Sequence, residues 1–197
     1  MKTDLKYRYK TEAIGGHVAL DLLNTVSIVD GMRVDSLETD KDVKAWLLDN
    51  SKVLGIENVK MDFPDLAETT KRVREIIREI IAAKKQGKKL DLQPLNALLK
   101  NGVSYTQIVS QIPDEYEVRK IRVVDSVEQL MAAIVDSAAE LVAVEDVNLI
   151  RKCENADCVL WFIDTTKGHK RRWCSMAICG NRHKVSKFRE RQSHATH

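Results

Sequence analysis

The four cysteines of this 197-residue chain stand in two pairs, and their spacing limits what the chain can fold into. Cys153 and Cys158 are separated by four residues, fifteen residues follow, and Cys174 and Cys179 are again separated by four. Each pair fits on one tight loop, and the segment between the pairs is long enough for a hairpin. Four thiolates at the corners of a tetrahedron suit Zn²⁺, and such a closed site stabilises a fold rather than catalysing. The pattern therefore predicts one structural zinc ion per chain, held by all four cysteines.

Other fates of the thiols stay open on the sequence alone. Two disulfides would require an oxidising compartment, but Met1 to Asp4 are not followed by the apolar segment of a secretory signal, so we expect a cytoplasmic protein. An iron–sulfur cluster also takes four thiolates, and unligated buried thiols are the remaining alternative. His169 and His183 lie near the cysteines as substitute ligands. Because four thiolates already complete a zinc site, we expect both histidines at the surface or against phosphate.

Charge is distributed unevenly along the chain. From Arg151 to His197 there are eleven Lys or Arg against four Asp or Glu, whereas the first 150 residues hold 21 basic and 25 acidic residues. This asymmetry favours a polyanion as the partner of the basic segment, although a solvated charged terminus would have the same composition. No run approaches the ~18 apolar residues of a membrane span, so we expect no membrane partner.

The cysteine segment itself predicts a small reader of nucleic acid. Val159–Ile163 is expected to be a strand, Arg171–Trp173 its return strand, and a basic helix is expected after Cys179. Val185 and Phe188, at i and i+3, are predicted to anchor that helix inward. The basic side chains expected to contact nucleic acid are Arg171, Arg172, Arg182, Lys184, Lys187, Arg189 and Arg191.

Upstream of the cysteines, the periodicity of apolar residues predicts a mainly helical body. Helices are expected over about 39–50, 65–85, 90–100 and 126–144, the first of them capped by Thr39. Two β-prone segments, 103–110 and 116–124, flank Pro113-Asp114 and predict a β-hairpin. Residues 29–39 are expected to form a loop, and Lys2–Lys10 a short edge strand or ordered arm.

Gly15-Gly16 breaks the chain before an apolar run, and a helix is expected from about His17. Its polar residues recur at helical spacing and share one face: His17, Asp21, Asn24 and Thr25. Polar groups at a domain junction must be hydrogen-bonded somewhere. We therefore expect this stripe to bond loop backbone or to brace the zinc module against the body.

Three stretches resemble a known family. The segment R-R-W-C-S-M-A-I-C-G-N-R-H-K, residues 171–184, resembles the signature of the CGNR zinc-finger family, in which a cysteine-paired zinc module follows a mostly helical domain called ABATE. The segment C-E-N-A-D-C-V-L-W-F-I-D-T-T, residues 153–166, is similar to the first half of that module. Residues 16–25 resemble the G-x-x-x-L-D-x-x-N-T signature that opens ABATE.

The resemblance implies an ABATE-like domain over 1–148, a CGNR-type zinc finger over 149–197, and a role in transcription regulation by DNA binding. It further implies a sensory role for the first domain, in which His17, Asp21, Asn24 and Thr25 would contact an effector ligand instead of bracing the structure. No effector follows from the residues.

Together these observations predict a mainly α protein with a small β-hairpin, an α+β fold, followed by a treble-clef-like zinc module. We expect a zinc-binding, DNA-binding transcription regulator whose partner is duplex DNA. Two alternatives are a zinc-stabilised protein-interaction module, whose basic helix pairs with the acidic body, and an RNA-binding protein. We expect no enzyme, because the sequence has no Ser/His/Asp order, phosphate-binding loop or H-E-x-x-H motif.

Overall fold

A computed structural model describes residues 14–56, 59–144 and 146–195, which form two compact units. The first unit combines the described residues up to Asp35 with those from Asp146 onward. The second unit contains the described residues between these two segments, from Ser36 to residue 144. The fold is mainly helical with three antiparallel strand pairs, which confirms the expected α+β class. The segment Lys2–Lys10 lies outside the described residues.

The first unit opens with helix α1, Val18–Asn24, which confirms the helix expected from His17. His17 is its N-cap, and the Nδ1 atom accepts a hydrogen bond of 3.2 Å from the Ala19 amide. Strands β1, Val26–Val29, and β2, Met32–Asp35, then form a hairpin. The loop expected over 29–39 is therefore wrong in its first half. Asp30 and Gly31 both have positive φ, as a two-residue hairpin turn requires, and Asp-Gly is a strong sequence signal for such a turn.

The first unit continues with β5, Ile150–Lys152, β6, Trp161–Ile163, a π-helical turn, Met176–Gly180, and helix α7, Asn181–Ala195. Strand β6 pairs with β5, so the return strand expected over residues 171–173 is wrong. The backbone of that segment is used elsewhere, because the Arg171 amide donates to the Asp164 carboxylate and the Arg172 carbonyl accepts from the Glu154 amide.

The second unit holds the expected helices and the expected hairpin. Its helices are α2, Asp40–Asp49; α3, Ser51–Leu54; α4, Leu66–Lys85; α5, Gln93–Leu99; and α6, Val127–Val144. Thr39 is the N-cap of α2, as the sequence predicts, and it forms reciprocal bonds with Asp42 that the sequence analysis did not anticipate. Strands β3, Val103–Ile112, and β4, Glu115–Val123, form the hairpin on either side of Pro113-Asp114.

The core of the second unit is built from the apolar faces of α4 and α6. Val73, Ile77 and Ile81 of α4 are buried, as are Leu130 and Ile134 of α6. This follows the i, i+3, i+4 spacing from which both helices were predicted. None of the helices in the described ranges combines the length and apolarity that a bilayer crossing requires.

Candidate metal centre and nucleic-acid interface

The four cysteine sulfurs converge on one point of the first unit. All four Sγ atoms lie within 4.8 Å of one another, with 3.7 Å between Cys158 and Cys174 and 3.5 Å between Cys174 and Cys179. A tetrahedral zinc ion with Zn–S bonds of about 2.3 Å requires sulfurs about 3.8 Å apart. None of the four is in a disulfide. The donor set and its spacing therefore fit one zinc ion.

The first cysteine pair is held by the loop between β5 and β6. Cys153 follows β5 directly, and its amide donates to the Leu160 carbonyl over 2.9 Å, which closes the loop. The Cys158 amide donates to the Asn155 carbonyl over 3.0 Å, so the second cysteine of the pair lies on a tight turn. The Cys174 amide points at the Cys153 sulfur over 3.5 Å. Such N–H to sulfur contacts favour the thiolate that a metal requires.

The second cysteine pair ends in the π-helical turn, which the sequence did not predict. Ser175 caps this turn by accepting from the Ile178 amide at its side chain, and the Gly180 amide donates to the Ser175 carbonyl over 3.1 Å. Cys179 is buried within the turn, and α7 begins two residues later. The last metal ligand is thus rigidly joined to the start of α7.

Crowding of the sulfurs drives the cysteine pKa values apart. Hydrogen bonds from Cys158 and Cys174 lower the pKa of Cys153 to about 2. Hydrogen bonds with Cys153 and Cys158 raise the pKa of Cys174. Burial raises the pKa of Cys179 to about 12, with the charge of Cys158 adding to it. A divalent cation among the four sulfurs favours every thiolate at once, so zinc binding releases protons and weakens at low pH.

An apolar shell covers the cluster. Leu160 and Phe162 are buried with three of the cysteines, and Ile14 and Trp173 pack against them. Arg171 completes the shell, since its guanidinium lies 4.2 Å from the centre of the Phe162 ring. The same guanidinium donates to the carbonyls of Trp173, Ile163 and Cys174. The Arg171 side chain, expected at nucleic acid, is thus directed at the backbone around the cluster.

Asp164, which sequence reasoning missed as a site residue, is fully buried beside β6. Its carboxylate accepts from the Thr166 hydroxyl over 2.5 Å and from the Arg171 amide over 2.8 Å, and Arg151 Nε lies 3.6 Å away. Burial alone would raise the pKa of Asp164, but the hydrogen bonds from Thr166 and Arg171 and the charge of Arg151 hold it below its usual value. The signal in the sequence was the Asp-Thr turn that follows the strand.

Neither histidine near the cysteines belongs to the sulfur cluster. His169 Nδ1 lies 3.1 Å from the Asp164 carbonyl, and the His183 ring lies 4.7 Å from the Trp173 ring. Arg172 is exposed, lies 4.9 Å from the centre of the Trp173 ring and forms an ion pair with Glu154. Arg172 and His183 therefore flank one partly exposed tryptophan.

From Lys184 to Gln192, helix α7 projects its side chains into solvent. All five of its Lys and Arg side chains are exposed: Arg182, Lys184, Lys187, Arg189 and Arg191. Val185 is 49% and Phe188 63% exposed, so the prediction that they anchor the helix inward is wrong. The reason is that α7 follows directly on the π-helical turn and every residue from Lys184 to Gln192 is exposed, which leaves no buried face.

The polar stripe of α1 bonds to the strand that supports the zinc loops. Asn24 makes two bonds with one residue, because its Oδ1 accepts from the Trp161 amide over 2.7 Å and its Nδ2 donates to the Trp161 carbonyl over 2.8 Å. Thr25 Oγ1 donates to the Leu22 carbonyl over 2.6 Å. The stripe thus holds backbone on both sides of the junction between α1 and β6.

Asp21 holds the segment that precedes α1. Its carboxylate accepts from the Gly15 amide over 2.9 Å, and the Gly15 carbonyl accepts from the Ile163 amide over 2.9 Å. A Cβ at position 15 would lie 2.7 Å from Asp21 Oδ1 and 2.8 Å from the Leu20 Cβ, so only glycine fits. Gly15 is therefore fixed between α1 and β6.

Comparison with protein families identifies both parts of the chain. Residues 16–145 match ABATE, described as "Putative stress-induced transcription regulator". The chain belongs to the ABATE family. Residues 150–192 of this ABATE protein match the CGNR zinc finger, which contains all four converging cysteines. These are regulatory and zinc-finger families, not enzyme families. No curated protein matches the chain.

The opening of the ABATE match lies in the same compact unit as the CGNR zinc finger. Residues 16–25 match the start of ABATE, and the bonds of Asn24 with Trp161 and of the preceding Gly15 with Ile163 both fall inside the first unit. The folded neighbourhood of the metal in this ABATE protein is therefore larger than residues 150–192.

We expect Asp21→Asn to raise the melting temperature of the zinc-loaded ABATE protein slightly at pH 7. Burial raises the pKa of Asp21, against a smaller lowering by the Gly15 amide, so ionised Asp21 is disfavoured in the fold. When the pKa of a group is higher in the folded than in the unfolded state, the group adds to the free energy of unfolding at pH values below its unfolded pKa. This contribution is lost as the pH rises through the folded-state pKa. Asn keeps the acceptor for Gly15 without the charge.

The measurement is thermal denaturation of zinc-loaded wild type and Asp21→Asn at pH 7 and at the lowest pH at which both retain zinc, where the difference between the two should be smaller. Asp21→Ala is the control, because it removes the acceptor and should lower the melting temperature at both pH values. A lower melting temperature for Asp21→Asn at pH 7 would show that the ionised carboxylate itself stabilises the fold.

Proposed function

We propose that this chain is a DNA-binding transcription regulator in which zinc fixes the base of α7 and α7 contacts duplex DNA. The observation that carries the proposal is the complete exposure of α7 from Lys184 to Gln192, directly after the last cysteine. A helix that buries no face of its own is stable only when it is anchored at one end or covered by a partner.

The charges of α7 fall on two faces. Lys184, Lys187 and Arg191 stand at i, i+3 and i+7 and form a phosphate-facing stripe. Arg182, Val185 and Arg189 also stand at i, i+3 and i+7, on nearly the opposite side of the helix. We assign this second face to base edges, and the long side chains of the first stripe would reach back to phosphates along the groove walls. Arginine bonds guanine bidentately in the major groove, and an exposed apolar side chain between two arginines suits a thymine methyl.

The size of α7 suits the major groove. Fifteen residues span roughly 22 Å at 1.5 Å each, and the groove admits one α-helix. Lys187 forms an ion pair of 2.9 Å with Glu190 on the helix surface, so part of its charge is compensated before DNA arrives. Lys184 is therefore the sharper probe of a phosphate contact.

The residues expected at nucleic acid or at an effector outside α7 differ in what they contact. We propose Arg172 as a further phosphate contact, since it is exposed beside Trp173. We assign Arg171 to supporting the zinc loops through the three carbonyls that it binds. We also favour bracing over effector binding for His17, Asp21, Asn24 and Thr25, because their polar atoms bind backbone groups of the first unit.

A second candidate function is binding of single-stranded nucleic acid. Phe188 is 63% exposed and has Lys184, Lys187 and Arg191 as neighbours on the helix. Single-stranded sites combine cations for the backbone with exposed aromatic rings on which bases stack. Exposed Phe188 favours a single strand, whereas the face formed by Arg182, Val185 and Arg189 favours duplex DNA. The test therefore includes both kinds of nucleic acid.

We expect Lys184→Ala to weaken binding to all duplexes alike and to lower the salt slope of affinity by about one unit, because it removes one phosphate contact. Arg182→Ala should instead cost ~1 to 3 kcal/mol at one position of a selected site. The measurement is fluorescence anisotropy of the zinc-loaded protein with duplex DNA, single-stranded DNA and RNA at two or more salt concentrations.

Lys88→Ala is the matched control, since Lys88 is an exposed lysine of the second unit and its loss should leave both affinity and salt slope unchanged. Phe188→Ala separates the two candidates, because it should weaken single-strand binding strongly and duplex binding little. Absence of salt-sensitive binding to any of the three nucleic acids would favour the protein-interaction module.

A further inference from the structure

The β3–β4 hairpin has one edge that carries no charge. Strand β3, Val103–Ile112, contains no charged residue in ten positions. Strand β4 contains five: Glu115, Glu117, Arg119, Lys120 and Arg122. Among the described residues this sheet has only two strands. Charged side chains protect an edge from pairing, whereas a long uncharged edge is a template for another strand.

Contacts with the rest of the second unit are made by β4. Arg122 Nε donates to the Leu54 carbonyl over 2.8 Å, and Arg122 and Lys120 both bind Asp136 of α6. A Cβ built on Gly55 would lie 3.3 Å from the Lys120 carbonyl, so the end of α3 also lies against β4. Its own chain thus covers part of the β4 edge, and β3 is left as the strand for a partner.

The outer part of the hairpin exposes large apolar side chains. Ile108, Tyr116 and Val118 are 69 to 72% exposed, and Ile108 is directly opposite Val118. A two-stranded hairpin is marginally stable in water, and a third strand or a packed face is needed for independent stability. The hairpin therefore presents both an unpaired edge and an uncovered apolar face.

We propose that β3 pairs antiparallel with β3 of a second copy of this chain, about a two-fold axis at Gln107. In this register Gln107 lies opposite its counterpart, Thr106 opposite Ile108, and Tyr105 opposite Val109. Each pair shares one face of the sheet, as antiparallel pairing requires. Aromatic and β-branched pairs of this kind stabilise a sheet, and no charge is placed opposite another.

The distribution of charge between the two edges favours a second copy over a foreign strand. Pairing of the two copies gives a four-stranded sheet in the order β4, β3, β3, β4, whose two outer edges are the charged strands. Such an isologous contact closes on itself, so the assembly stops at a dimer. The uncharged strand is matched by an uncharged strand, and neither charged strand enters the contact between the two copies.

A single cysteine tests the register in the full-length, zinc-loaded protein, in which the native thiols are bound to metal. Residues opposite each other in an antiparallel pair have Cα atoms about 4.5 to 5.5 Å apart, within the range of a disulfide. Gln107→Cys should therefore form a covalent dimer under mild oxidation. Val118→Cys is the control on β4 and should stay uncrosslinked, because three strand spacings separate the two copies of that position.

A pair of acidic substitutions tests the interface without a crosslink. Thr106→Glu with Gln107→Glu places each new carboxylate opposite Lys120 or Arg119 of the same hairpin, so the hairpin itself gains cross-strand pairs. Across the proposed axis the same change sets carboxylates against one another and against Ile108. We expect the dimer dissociation constant to rise at least about tenfold by sedimentation equilibrium.

The matched control is Tyr116→Glu with Val118→Glu, which adds the same charge to β4 and should dimerise as wild type does. Melting temperature and zinc content confirm that each variant is folded. A wild-type protein that stays monomeric at its highest soluble concentration overturns the proposal and leaves the edge to a foreign partner. A dimer that survives Thr106→Glu/Gln107→Glu, or that Gln107→Cys does not crosslink, places the dimer contact elsewhere. None of these outcomes depends on DNA binding.

Discussion

Cys174→Ser should abolish zinc binding and unfold the unit that contains the metal. Cys174 Sγ lies between those of Cys158 and Cys179, at 3.7 and 3.5 Å, and the Cys174 amide points at Cys153. A structural zinc site contributes on the order of 10 kcal/mol of folding free energy, which a small unit cannot replace. We therefore expect about one zinc per wild-type chain and none per Cys174→Ser chain.

The loss should be confined to one unit. Helices α4 and α6 belong to the second unit and bury their own core, so their amides should stay protected from hydrogen exchange in Cys174→Ser. The amides of β6 and α7 should exchange freely. Metal analysis after dialysis and hydrogen exchange by mass spectrometry measure both effects.

Met176→Ser is the matched control, because it introduces serine two residues away at a side chain that is more than half exposed. It should retain one zinc and wild-type exchange. Iron in the wild-type protein, or four metal-free thiols in a folded protein, would contradict the zinc assignment, as would a Cys174→Ser protein that still binds one zinc.

The sequence predicted those parts of the fold that depend on local patterns. The cysteine spacing identified a site whose sulfurs converge within 4.8 Å, and the periodicity of α4 and α6 placed both helices within two residues. The Thr39 cap was predicted because an N-cap residue followed by acidic residues in the first turn is a signal only a few residues long. Each of these features is decided by residues close in sequence.

What the sequence did not predict depends on distant partners. Residues 171–173 follow a turn and were expected to return as a strand, but β6 pairs with Ile150–Lys152, and the Arg171 amide donates to buried Asp164. Val185 and Phe188 have the spacing of an anchored helix face, yet α7 has no neighbour to bury them. The i, i+3 pattern states which side chains share a face and not whether that face is covered.

The grouping of α1 with the zinc finger was also beyond a linear prediction. The family boundaries divide the chain after residue 145, whereas the compact unit joins residues on either side of the intervening helices. A polar stripe on α1 indicated that some backbone had to be bonded. That backbone belongs to Trp161, which is 137 positions from Asn24 in the sequence. The pairing of these two residues therefore follows only from the fold.

Asn24→Ala should destabilise the zinc-bearing first unit by about 2 to 6 kcal/mol, although Asn24 touches no cysteine. Asn24 is buried and satisfies both backbone groups of Trp161, at 2.7 and 2.8 Å. Leaving a buried donor or acceptor without its partner costs about 1 to 3 kcal/mol each, and alanine leaves one of each. Trp161 is the first residue of β6, and the residues on either side of it, Leu160 and Phe162, cover the cysteine cluster.

The measurement is urea unfolding followed by release of zinc to a coloured chelator, which reports on the metal-bearing unit alone. This choice matters because a chain with two compact units need not unfold in one step. The zinc-release midpoint should fall for Asn24→Ala, and it should fall as far for Asn24→Asp, whose carboxylate accepts from the Trp161 amide but repels the Trp161 carbonyl.

Asn50→Ala is the matched control, since it removes a 2.8 Å bond to the Trp46 carbonyl in the second unit and should leave zinc release unchanged. If Asn24→Ala releases zinc at the wild-type midpoint, the bonds from Asn24 to Trp161 do not stabilise the first unit, and the bracing role assigned to the stripe is wrong.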